Sequence, residues 1–113
     1  MLGICTAIGY LRADVSGQRK EWDEHQNRSL AARLGYTVAK TVVFNENTDD
    51  PIRRLINVVL RVGAEAVVVP GIAHFGGRIP EELVRVVDVI TVEPQRTYAR
   101  WSAGQLPDEM RSR

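Results

Sequence analysis

Residues 65–70, EAVVVP, set four consecutive apolar side chains, three of them β-branched, between a glutamate and a proline. A short run with no polar face is the pattern of a strand covered on both sides, as inner strands of parallel sheets are. Upstream, Asp50 stands at an N-cap position and Pro51 at the first helical position, and Ile52, Leu55, Ile56 and Val59 recur at helical spacing. Before that helix lies a second strand-like stretch, Tyr36 to Phe44. Gln18 to Leu34 reads as a polar surface helix with Trp22, Leu30, Ala31 and Leu34 as its apolar contacts, closed by Gly35 in a left-handed helix-end position. Ile4 to Leu11 opens the alternation as a further central strand. Downstream, a short helix starts at Pro80 with Glu81 and Glu82 in its first turn, where they favour the positive end of the dipole. It returns the chain to a last strand, Asp88 to Val92. The expected fold is therefore α/β: a three-layer domain with a short, mainly parallel four-stranded sheet, flanked by helices and joined by right-handed crossovers.

A chain of 113 residues, 44% hydrophobic and 26% charged, holds one core. The domain is expected over residues 1–93, with 94–113 a partly disordered tail in which Tyr98 and Trp101 could dock one helical turn. Read at this length, the chain leaves no room for a catalytic domain plus a separate DNA-binding domain. Fifteen basic against fourteen acidic side chains give a formal charge of +1, so no general attraction to a polyanion is expected. The amino end, MLGICTAIGYL, lacks a positive flank and a cleavage site, and no apolar run approaches the roughly 20 residues that span a bilayer. A lone cysteine, Cys5, forms no internal disulfide and suits a reducing compartment, so the expected location is cytoplasmic. His25 and His74 belong to no ligand-spaced cluster, and neither metal nor cofactor is expected.

Ligands of open α/β sheets gather beyond the carboxyl ends of the strands. Two loops are expected there: Arg12 to Gln18 after the first strand, and Gly71 to Arg78 after the third. Arg12, Ser16, His74 and Arg78 are the side chains in them able to hold an anion. Each also has a plainer role: Asp14 pairing with Arg12, Ser16 as the N-cap of the first helix, His74 as a surface loop residue. Asp14, Ser16 and His74 are the residue types of a hydrolytic triad, but no G-x-S-x-G elbow presents the serine.

The order IGYLRADVSGQ, TDDPIRRLI, AEAVVVPGIAHFGGR resembles the catalytic domain of the serine recombinases, the resolvase and invertase family. Gly9, Tyr10, Arg12, Gln18, Gly35, Pro51 and Leu55 match its framework over about residues 4–92. The resemblance implies the strand order 2-1-3-4. It also implies that Asp14 stands where the family's nucleophilic serine attacks a DNA phosphate, and that Asp50, Ala73, His74 and Gly77 replace other members of the active-site set. Of that set only Arg12 and Gln18 remain. A carboxylate is repelled by the phosphodiester and cannot stand in for the serine.

The expected function is that of a recombinase-like pseudoenzyme, a regulatory or scaffolding module acting through a protein partner or as a homodimer. Uncovered apolar surface near the last strand, at Val87, Ile90 and Val92, would serve that contact. Two alternatives remain. One is a DNA-binding component of a recombination assembly, with Arg53, Arg54, Arg61 and Arg78 along the DNA path. The other is a sensor of small anions or nucleotides using Arg12 and His74.

Overall fold

The computed structural model describes residues 5–100. Its elements are β1 (Cys5–Arg12), α1 (Ala13–Ser16), a 3₁₀ turn over Gly17–Arg19, α2 (Lys20–Arg33), β2 (Tyr36–Phe44), α3 (Pro51–Val62), β3 (Ala66–Val69), a second 3₁₀ turn over Ile72–Phe75, α4 (Glu81–Val84), β4 (Asp88–Thr91) and β5 (Arg96–Tyr98). All strands join one sheet in the order β2-β1-β3-β4-β5. Neighbours are parallel except β5, which runs antiparallel to β4.

The sheet has five strands, not the four expected. Arg96–Tyr98 pair with Val89 to Thr91, inside the segment read as a tail. Three residues with only Tyr98 half-buried show no period of their own, and the strand is defined by its partner. Tyr98 thus lies on a strand rather than on a helical turn. Residues 101–113 of the expected tail, Trp101 among them, and Ile4 at the expected start of the first strand lie outside the described residues.

Side chains alternate across the sheet into two apolar layers. Ile8, Tyr10, Val67, Val69 and Val89 face α3 and α4, where Leu55, Val59, Leu83 and Val84 complete the larger cluster. Ala7, Ala66, Val68 and Ile90 meet Leu30 and Ala31 of α2 on the other side. All four side chains of β3 are fully buried, as its uninterrupted apolar run requires.

Three of the six buried residues in the α2 layer are alanines, Ala7, Ala31 and Ala66. The buried stripe of the helix is Asp23, Asn27, Leu30 and Ala31, one turn apart along one face. Trp22 and Leu34, expected as core contacts, lie off that stripe and are 54% and 42% exposed. Gly9 sits where a Cβ would meet the Thr41 hydroxyl at 3.0 Å, so a larger residue there requires the Thr41 side chain to give way.

The starts of two helices differ from expectation. Asp50 precedes α3 in the left-handed region, with φ of 51°, and makes no side-chain cap bond. Its carboxylate instead pairs with Arg53 at 3.0 Å. Ser16 caps nothing: it ends α1 in helical conformation, and its side chain turns inward. The apolar surface expected near the last strand is also absent, since Val87 and Ile90 are buried and Val92 packs against the α2 cluster.

Among the described residues no helix is long and apolar enough to cross a membrane.

Candidate functional site

Chain order reverses between β1 and β3, because the chain leaves β1 for β2 on one side and passes to β3 on the other. The carboxyl ends of those strands carry the two loops singled out in the sequence. Phe75 anchors the second loop by stacking on Tyr10 of β1 with ring centroids 5.2 Å apart. The adjacent His74 is consequently buried, only 4% exposed, rather than a surface residue. Its Nδ1 accepts a hydrogen bond from the Arg12 backbone N–H at 2.9 Å. This leaves the ring proton of the neutral form on Nε2, which makes no hydrogen bond among the described residues. Burial is the main influence that pushes the imidazole below the usual histidine pKa.

Arg12 and Asp14 form a closed pair. The guanidinium donates from Nε to Asp14 Oδ1 at 2.9 Å and from Nη2 to Oδ2 at 2.5 Å, a bidentate arrangement. Those hydrogen bonds are the largest influence holding the Asp14 carboxyl below the usual carboxylate range. Arg12 and Asp14, both singled out in the sequence, thus engage each other.

Ser16 donates its hydroxyl proton to Asp23 Oδ2 at 2.6 Å, with both residues buried. Asp23 has one further neighbour of opposite charge, the exposed Arg19 guanidinium at 4.0 Å from Oδ1. One turn along α2, Asn27 donates to the Tyr10 carbonyl at 3.4 Å. The sequence reading missed Asp23. Its signal was available, since Asp23 and Asn27 fall in helical register with Leu30 and Ala31, but polar side chains were not read as a buried stripe.

Ser16, Asp23 and His74 line a cleft of about 480 Å³, together with Val15 and Trp22 on one rim and Glu93 beyond β4. The triad reading fails here, because Ser16 bonds Asp23 rather than His74 and Asp14 bonds Arg12. Of the four side chains singled out for an anion, the Arg12 guanidinium pairs with Asp14 and the Ser16 hydroxyl donates to Asp23. Gln18 and Arg78 are exposed, Ala73 lines the cleft, and Gly77 has a positive φ of 110°. Asp50 is held by Arg53 at the start of α3, so of the residues singled out by the resemblance, Arg12, Asp14 and His74 are brought together. Among the described residues no cluster of ligating side chains suits a metal ion.

Comparison with protein-family models, curated proteins and solved structures returns no match to this chain.

Proposed function

We propose that this chain is a non-catalytic, resolvase-like module that works through protein contacts, as a homodimer or with a partner. The strand order β2-β1-β3-β4 and the place of Arg12 at the end of β1 support the resolvase resemblance. The observation that carries the non-catalytic reading is the bidentate Arg12–Asp14 pair. A nucleophile is replaced by a carboxylate, and that carboxylate occupies the guanidinium a phosphate would need. Exposed apolar side chains favour contact with protein: Val15 and Trp22 on the cleft rim and Ile72 in the neighbouring loop are 39%, 54% and 39% exposed.

The DNA-binding alternative draws less support. Of its four arginines, Arg53 is paired with Asp50 and Arg54 donates to the Asp49 carbonyl at 2.7 Å. The reading is tested by incubating Asp14→Ser and the natural chain with supercoiled DNA and running denaturing gels, alongside anisotropy with duplex DNA at low salt. Neither protein is expected to form a covalent adduct, and no salt-dependent binding is expected. An adduct with Asp14→Ser would show that the rest of a cleavage site survives.

A further inference from the structure

The cleft at the β1–β3 strand ends is more specific than an apolar docking surface. Three charged side chains line it, the carboxylates of Asp23 and Glu93 and the guanidinium of Arg19, so carboxylates exceed guanidinium by one. Asp23 is buried and lies in the first turn of α2, where the helix dipole favours it, with one neutral hydroxyl donor at 2.6 Å and one exposed guanidinium at 4.0 Å. A buried carboxylate with no close cation favours a further cation or strong donor. The charge balance disfavours a phosphate in the same space.

His74 adds an independent requirement. It is 4% exposed, it lines the cleft, and its Nε2–H has no acceptor among the described residues. That N–H is not closed off from solvent, and it is available to an acceptor on whatever enters the cleft. Trp22 and Val15 add an apolar and aromatic rim, with the Trp22 ring open to solvent on about half its surface, 54%. An aromatic face beside carboxylates also favours a cation. An occupant must therefore carry a cationic donor, a nearby acceptor and an apolar group.

We infer that the cleft binds the free amino terminus of a polypeptide. Its α-ammonium would meet Asp23 and Glu93, its first carbonyl would accept from His74 Nε2–H, and its first side chain would lie against Val15 and Trp22. The inference rests on the protein-contact reading and names the part of a partner that this site takes. A lysine or arginine side chain satisfies the carboxylates but offers no acceptor to His74. A nucleotide satisfies the aromatic rim but brings phosphate charge to a site with excess carboxylate.

The test is titration of the purified chain with leucinamide, which carries the ammonium, the carbonyl and an apolar side chain without a carboxylate. Calorimetry and NMR shifts of the Trp22 indole and His74 imidazole are the readouts. Saturable binding on the order of millimolar is expected for so small a probe. Acetyl-leucinamide, which lacks the charge, is expected not to bind. Asp23→Asn keeps an acceptor for Ser16 and is expected to weaken binding about ten-fold or more, and Trp22→Ala, at an exposed position, is expected to weaken it without affecting folding. Equal binding of the acetylated probe, binding of inorganic phosphate or a nucleoside monophosphate in its place, or no saturable binding of leucinamide would overturn the inference. Failure of leucinamide leaves the protein-contact reading open to its own capture experiment, so the two fail separately.

Discussion

His74 is held neutral by two features that act together. Its Nδ1 accepts the Arg12 N–H, which a proton on that nitrogen would oppose, and its burial disfavours a charge. The folded-state pKa therefore lies below that of the unfolded chain, near the ordinary histidine value of about 6.5. Between the two values the unfolded state binds more protons, so stability rises with pH through that window and is complete above about 6.5. The Asp14 pKa is depressed as well, so its pair with Arg12 contributes stability that is present above the ordinary carboxylate value and lost only in stronger acid. Melting temperature should accordingly fall as pH drops from 7 to 5. His74→Asn, whose Oδ1 can accept from Arg12, should flatten that slope; an unchanged slope would assign it to other groups. At the neighbouring pair, Ser16→Ala removes the one short hydrogen bond to a buried carboxylate. It should cost about 1.5–3 kcal/mol in urea unfolding, while Ser16→Thr, which keeps the hydroxyl, should cost less.

At the level of elements, α3 starts from a left-handed residue instead of a capping one. Serine caps helices as well as aspartate does, but tolerates the left-handed region less well. Asp50→Ser should therefore destabilise by about 1 kcal/mol, whereas a capping role would leave stability unchanged. The buried stripe of α2 gives a second contrast. Leu30→Ala should cost about 2–5 kcal/mol, and Trp22→Ala only about 0.5 kcal/mol or less, because the larger side chain lies off the stripe. Gly9 and Thr41 form a coupled pair across β1 and β2. Gly9→Ala should destabilise by about 1–3 kcal/mol, and Thr41→Ala should recover much of that loss in the double variant. Thermal unfolding of the four proteins measures the coupling.

For the whole molecule, the alternation of strand and helix was legible because β3 has no polar face and because Pro51 marks the start of an amphipathic helix. β5 was not legible, since three residues gain their structure from the edge of β4. The expected apolar patch is absent because Val87 is enclosed in the cluster under α3 and α4 and Ile90 in the one under α2. The cleft was only half legible. Its loops followed from the topology of a parallel sheet, but Asp23 lies on a helix seven residues beyond Ser16, where no loop motif marks it. The burial of His74 goes with the stacking of its neighbour Phe75 on Tyr10, a long-range contact that local sequence does not encode.

The function proposed for the chain requires that it act through protein contacts. The most direct measurement is capture of the tagged chain with its bound proteins from its native cell extract, with and without nuclease, read by mass spectrometry. The account predicts a stoichiometric protein, or a second copy of the chain, that is retained after nuclease and lost with Trp22→Ala. Recovery of DNA-bound factors that vanish on nuclease treatment would contradict it, and would mean that the resemblance to recombinases still operates through DNA.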